Sequence, residues 1–345
     1  MEEQELAERI AGANAPLALG GGFTRGMAAE GERLSLAGLA GVRLYEPGAL
    51  TLVAGAGTPL AEVEALLAGE GQRLAFEPMD HRGLLGTSGE PTIGGVMAGN
   101  VSGPRRVVAG AARDFCLGLR VVDGGGRVLK AGGRVMKNVT GYDLPKLFCG
   151  SRGRLGAITE VALKVLPVPE TEVTLVGGGG VPVLAAGLGT PFEVTGAAVM
   201  GGETLLRLEG LEASVAYRQG ALASRLGGDW RVAAEEESRA LWRQVRDVGP
   251  FHGLAGEVWR VHLRPSRAEG LLAALGGPEA VIDWGGGLLW LRAPGEALLG
   301  EVAKAGGHAT CVRGGAARSA EAPAVAALSA GLKARFDPRG LFGSL

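Results

Sequence analysis

The sequence predicts an α+β chain built in two halves, and three observations carry that expectation. Between residues 92 and 167 glycines and small side chains alternate with short β-branched runs, as expected where backbone lies almost against a flat, anionic ligand. After residue 170, apolar-periodic stretches of helical length alternate with strand-like runs, the pattern of an antiparallel sheet covered on one face by helices. Pro167 and Pro169 interrupt regular structure between the two regions, so the expected units are 1–168 and 169–345.

In the first half, residues 3–11 form a short amphipathic helix, 16–19 a strand, and 20–26 a glycine-rich turn. Strands follow at 34–36, 42–45 and 51–54, then a helix at 59–68 with Thr58 as N-cap and Pro59 in its first turn. Further strands are expected at 121–122, 128–129 and 158–165. In the second half the helices are placed at 212–226, 237–248, 267–275, 295–305 and 323–336. Its strands are placed at 171–176, 196–208, 230–233, 258–263, 281–291 and 309–312. No internal repeat is visible.

Composition narrows the function classes. A net charge of −1 and an aromatic content of 5% leave neither the basic face nor the stacking platforms that nucleic-acid binding requires. No apolar run reaches bilayer length, and the first ten residues are acidic where a leader peptide would be basic and then apolar. The expectation is a cytoplasmic protein that meets membranes, if at all, through partners. Cys116, Cys149 and Cys311 lie far apart and read as buried, reduced thiols; none of His81, His252, His262 and His308 has paired ligand spacing, so no metal site is expected. Trp242, Trp259, Trp284 and Trp290 fall in periodic apolar segments and read as core. Asparagine is confined to Asn14, Asn100 and Asn138, and lysine is also scarce, a bias that suits a heat-adapted, GC-rich source or codon usage alone. Two of these asparagines sit inside the glycine-rich block, which points to specific hydrogen bonding or to left-handed turns there.

The loop Gly20, Gly21, Gly22, Phe23, Thr24, Arg25, Gly26 follows a strand and exposes a run of unobstructed N–H groups, a nest suited to a pyrophosphate. Alone it matches neither a dinucleotide fingerprint nor a P-loop. It is followed by Thr92, Ile93, Gly94 and Gly95, by Gly99 and Asn100, by Ser102 and Gly103, by Gly110 and Arg113, and by Gly153 with Gly156, Ile158 and Thr159. This ordered series resembles the FAD-binding domain of the vanillyl-alcohol oxidase (PCMH-type) superfamily, in which two α+β subdomains hold FAD between them.

The resemblance narrows through Phe76-Glu77-Pro78, Gly103-Pro104-Arg105-Arg106, the segment from Gly132 to Asp143, and Lys146-Leu147. It continues through Leu205 to Gly210, Leu241-Trp242 with Val245-Arg246, Trp259-Arg260, residues 306–310 and Phe336-Asp337-Pro338. These look like the E-subunit family of bacterial glycolate oxidase. The resemblance implies a flavin subunit working with a larger FAD-containing subunit and an iron–sulfur subunit on a small 2-hydroxy acid. The alternatives are a flavin-silent assembly subunit of the same complex and a stand-alone FAD oxidoreductase of the superfamily.

The resemblance also implies site roles. Residues 20–26 would wrap the pyrophosphate. Thr92, Ile93, Gly94, Gly95, Gly99, Asn100, Ser102 and Gly103 would line the flavin side, with Gly110 and Arg113 continuing that wall. Gly156, Ile158 and Thr159 would meet the adenosine half. Arg105 and Arg106 are either flavin-proximal charges or part of a solvated turn or subunit contact, and Lys137, Asn138 and Tyr142 either face the flavin or lock a loop. Relatives that attach FAD covalently use a His in the first loop or a Cys in the second region. Phe23 stands in place of that His and no Cys lies between Gly86 and Gly110, so FAD is expected to be dissociable. The ending after Asp337-Pro338 departs from the family pattern, and no catalytic base is assignable.

Overall fold

The computed structural model describes residues 2–25, 31–135 and 141–343, so the expectations for Gly26, Lys137 and Asn138 lie outside the described residues. The fold is α+β, with sheets that are antiparallel except for one small pair. In the first half, helix Glu3–Gly12 packs Leu6 and Ile10 against the parallel strands Leu17–Gly20 and Glu32–Ser35. Beside this small layer stands a five-stranded sheet in the order Val42–Glu46, Thr51–Gly55, Ala157–Lys164, Cys116–Val122, Val128–Gly132. A cleft opens between the two layers.

Helix Leu60–Gly69 starts with Pro59, not Thr58, at its N-cap. Thr58 is fully buried, and its hydroxyl donates to Gly55 O at 2.7 Å and accepts from Gly41 N at 2.9 Å. A buried hydroxyl with two backbone partners in the turn has nothing left for the helix end.

The glycine-rich run after Thr92, read as a ligand-lining segment, is helical over Ile93–Gly99. Thr92 Oγ1 accepts from Gly95 N at 3.2 Å, and Asn100 ends the helix with φ of 48°. Glycine at 94 is needed by the protein itself, since a Cβ there would lie 2.4 Å from that of Ala56. Close helix–sheet approach, not helix propensity, selects these residues.

The second half carries an eight-stranded antiparallel sheet. Its first four strands and intervening helices run Thr171–Gly177, Gly180–Leu188, Gly196–Met200, Glu203–Gly210, Glu212–Leu226, Arg231–Ala233. The same β-α-β-β-α-β order returns as Val258–His262, Ala268–Ala274, Glu279–Asp283, Leu288–Arg292, Gly295–Lys304, His308–Arg313. The two units meet edge to edge through one register pair, Val199 with Ile282. The fold therefore repeats although the sequence shows no repeat, because burial patterns are shared while residue identities are not. Each long strand expected at 196–208 and 281–291 is a hairpin, turned at Gly201 and Gly202 in one case and at Trp284–Gly286 in the other. Helix Gly180–Leu188 went unread because glycines and Pro182 mask its apolar stripe of Val181 and Leu184.

Side chains alternate across this sheet. Leu175, Leu206, Leu289 and Leu291 pack beneath the paired helices, whereas Val176, Leu205, Leu288 and Trp290 face helix Glu235–Asp247 together with Met79 and Leu84 of the first half. Both faces are thus covered, one of them partly by the other half of the chain.

A buried ion cluster crosses the seam. Glu77, held at φ of 46°, accepts from Arg207 Nη1 and Nη2 at 2.8 and 2.9 Å and from Arg105 N and Nη2 at 2.8 and 3.1 Å. Arg105 Nη2 also donates to Glu209 Oε1 at 2.6 Å, which accepts from Arg73 Nη1 at 2.8 Å. Arg106 lies 4.4 Å from the centre of the Trp284 ring, whose Nε1 donates to Gly103 O at 3.0 Å. Arg105 and Arg106 therefore join the halves, and neither sits in a solvated turn. The tail returns to the first half. Arg339 donates to the carbonyls of Ile10, Ala11, Ala13 and Gly124, while Leu341 and Phe342 bury against Leu6 and Leu17. No helix among the described residues is long and apolar enough to cross a membrane.

Candidate functional site

The cleft between the two layers of the first half is lined from one side by Gly20, Gly21, Gly22, Phe23, Thr24 and Arg25, and from the other by Thr92, Gly94, Gly95, Gly99, Gly153, Gly156 and Ile158. Strand Leu17–Gly20 ends at the cleft, where Gly21 and Gly22 have no room for side chains. A Cβ at Gly21 would fall 2.2 Å from Thr92 Oγ1, and one at Gly22 would fall 1.9 Å from Glu90 O. Phe23 takes a left-handed φ of 52°. Among the described residues, no backbone N–H of residues 21–25 has an acceptor in the protein. Such donors need a partner from outside the chain, and a concave run of them suits an anion.

Arg25 carries the same message. Its guanidinium donates to Gly95 O, and no described carboxylate pairs with it. Burial, with Arg152 alongside, holds its pKa down at about 10. An enclosed cation without a counter-ion is costly. The glycine-walled cleft, the unspent N–H groups and the unpaired Arg25 fit the pyrophosphate and extended shape of FAD.

The cleft runs into a larger cavity of about 610 Å³ between the halves, Arg25, Gly99 and Arg152 lining both. Asn100, Ser102 and Gly103 form the first-half wall of this cavity. Asn100 does both jobs read from the sequence, since it takes the left-handed turn and its Oδ1 accepts from Arg113 N at 2.9 Å. Ser102 Oγ donates to Asn100 O and accepts from Ala112 N.

Four of the residues expected at the site line neither space. Ile93 is buried in the core under the sheet, and Gly110, with φ of 95°, follows a short helical turn. Arg113 is half-exposed beside Asp114, and Thr159 Oγ1 donates to Glu3. Tyr142 is 92% exposed and touches neither cavity.

The second half supplies what sequence reasoning missed. Arg260 and Asp283 project into the larger cavity beside Trp290, joined by Arg154, Arg246, Arg318 and His81. Arg152, Arg154 and Arg260 have no ion-pair partner among the described residues. Burial, with Arg106 and Arg152 near, holds Arg260 at about 10, and burial beside Arg25 pushes His81 down to about 3, so that this imidazole is neutral. His262 is likewise neutral and stacks on Trp284 at 5.3 Å. Among the described residues, Asp283 is the sole carboxylate lining the cavity. One of its oxygens accepts from Trp284 N at 2.7 Å, and burial raises its pKa to about 7. Trp259-Arg260 stood among the motif fragments, so the signal was present; Asp283 carried none, because its neighbours are ordinary strand residues.

No group of His, Cys, Asp and Glu among the described residues forms a metal site. Cys116, Cys149 and Cys311 are free and buried.

Comparison with known proteins adds to this geometry. Residues 2–132 match the family described as FAD binding domain. Over 312 residues, 88% of this chain and 83% of the relative, the sequence is 38% identical to glycolate oxidase subunit GlcE of Escherichia coli K12. A stretch of 84 residues, 24% of this chain and 18% of the relative, is 46% identical to glycolate oxidase subunit GlcD of Bacillus subtilis 168. Among solved structures, an alkyldihydroxyacetonephosphate synthase superposes with a TM-score of 0.71 over 99% of this chain and 73% of its own, at 14% identity, which is a likeness of fold.

Proposed function

This chain belongs to the glycolate oxidase E-subunit family and carries an FAD-binding domain, and from that premise we propose that it is a non-covalent FAD subunit with its own substrate chamber. Residues 1–168 hold the cofactor, and 169–345 close over a small 2-hydroxy acid such as glycolate. The chain works in the cytoplasm with a larger FAD-containing subunit and an iron–sulfur subunit that receives the electrons.

The observation that carries this reading is the continuity of the anion-seeking cleft with a cation-lined cavity whose described lining holds one carboxylate. The N–H groups of residues 21–25 and the Arg25 guanidinium hold the pyrophosphate, with Gly95, Gly99 and Gly156 as the facing wall. Phe23 has no nucleophile to offer, which supports a dissociable cofactor. When bound, FAD supplies the two-electron acceptor.

Within the chamber, Arg260 and Arg152 hold the substrate carboxylate by charge-assisted hydrogen bonds. The same cations favour the ionised form of an adjacent hydroxyl. Asp283 would take the hydroxyl proton as the substrate carbon is oxidised, FAD being the acceptor of the two electrons, and its pKa of about 7 is matched to proton exchange near neutrality.

The test is the visible spectrum of the purified chain before and after glycolate, with and without denaturant. Flavin bands that are released on unfolding are expected, and a colourless chain that refuses FAD overturns the reading. Gly95→Leu sharpens the result. A Cβ at Gly95 meets Thr92 Oγ1 at 3.2 Å and Arg25 at 3.8 Å, so Thr92 has to give by a few tenths of an ångström while the longer side chain fills the cleft. The variant is expected to melt near the wild-type temperature while losing at least about tenfold in FAD affinity, about 1.4 kcal/mol.

A further inference from the structure

A third opening, of about 360 Å³, lies on the seam behind the ion cluster and shares only Arg246 with the chamber. Arg73, Arg105 and Arg207 form its floor, and Arg239, Arg243 and Arg246 stand around them; Glu77 and Glu172 are the only carboxylates among the described residues that line it. We propose that this opening binds a small multivalent oxyanion, carboxylate or phosphate, which locks the two halves together.

The hydrogen-bond inventory of the floor supports this. Arg105 is 5% exposed and Arg207 1% exposed, yet Arg105 Nε and Nη1, Arg207 Nε and Arg73 Nε have no acceptor. Glu77 spends both oxygens on Arg207 and Arg105. Glu209 spends Oε1 on Arg73 and Arg105, and its Oε2 stands 3.8 Å from Arg207 Nε. Glu172 accepts from Ser238 Oγ at 2.7 Å and makes no hydrogen bond to the guanidinium groups of the floor, and burial raises its pKa. The buried Arg105 and Arg207 and the half-buried Arg73 thus share the carboxylates of Glu77 and Glu209 and keep four unused donors. At the mouth, Arg239 pairs with Glu235 and Arg246 with Asp247, whereas Arg243 is exposed and forms no ion pair among the described residues. Planar guanidinium groups converging on one space match the oxygens of carboxylate or phosphate. Arg73, Glu77 and Arg105 come from the first half and Arg207 and Arg243 from the second, so an occupant bridges both and stabilises the folded chain by mass action.

The test is thermal unfolding and titration calorimetry of the full chain in anion-poor buffer, with inorganic phosphate or malonate added at constant ionic strength. A saturable rise in Tm with at least one of the two is expected, and the tighter of them identifies the phosphate or the carboxylate source. Arg243→Gln, at the exposed mouth, is expected to fold normally and to weaken binding about tenfold, the loss of one charge-assisted contact. Arg260→Gln, in the separate chamber, is expected to leave the affinity unchanged. The proposal is overturned if neither anion gives a saturable shift, if Arg243→Gln binds as tightly as wild type, or if Arg260→Gln abolishes the effect.

Discussion

Glu77→Ala is expected to destabilise the chain by about 3–5 kcal/mol, the range for removing one partner of a buried ion pair. Glu77 is where four strong hydrogen bonds from Arg207 and Arg105 end. Burial alone would raise its pKa, but the charges of Arg207 and Arg105 outweigh that and hold it well below the ordinary 4.5. Truncation leaves two guanidinium groups enclosed without their acceptor, and those groups sit on different halves. The loss should therefore appear as a lower urea midpoint and as easier proteolysis at the 166–170 connection. The pH dependence has a definite sign. A depressed carboxyl contributes its stability above the unfolded value of 4.5 and loses it as pH falls toward the folded value. Wild type and Glu77→Gln should thus differ most near neutrality and converge in strong acid. Equal midpoints at pH 7 would remove the ion cluster from its role at the seam.

Asp283→Asn is expected to lower the glycolate-dependent reduction rate by about 10²–10⁴-fold, the usual contribution of a general base. In the wild type the rate should rise with pH and level off above about 7, where Asp283 is ionised. The stability readout is independent of turnover. Asp283 has its folded pKa raised from 3.8 to about 7, so between those values the native chain keeps a proton that the unfolded chain releases. Stability then falls as pH climbs through that window, by up to about 4 kcal/mol, and is flat above it. The amide has no such titration. Melting curves from pH 5 to 8.5, spanning the upper part of the ordinary range for proteins, should slope downward for wild type and be level for Asp283→Asn at this site. Parallel curves would show that Asp283 does not carry the buried charge, whatever the activity does.

Several features were legible because they depend on neighbours in the chain. The loop at residues 20–25, the strand before it, and the left-handed turn at Asn100 follow from local backbone geometry, which glycine and asparagine announce. The helices from Glu3, Glu212, Gly295 and Pro323 follow from apolar spacing over several turns or from a proline at the first turn. The motif fragments around Glu77, Arg105 and Glu209 were also legible as marks of a family, but their work was not. They converge on a buried cluster whose members lie up to 136 residues apart, and no local pattern encodes that meeting.

Sequence by itself determined the α+β class, the glycine-lined first half and its family, because these rest on local conformational preference and on residue patterns read in order. The tertiary structure decided the rest. It showed that Gly21, Gly22 and Gly94 are small to admit protein neighbours, that two β-α-β-β-α-β units form one sheet, and that Arg105 pins the seam. It also brought Arg260 and Asp283 from the second half to the mouth of a cleft built by the first. Burial and electrostatics act through space, so the charge state of Asp283 follows from what surrounds it after folding and not from its neighbours along the chain.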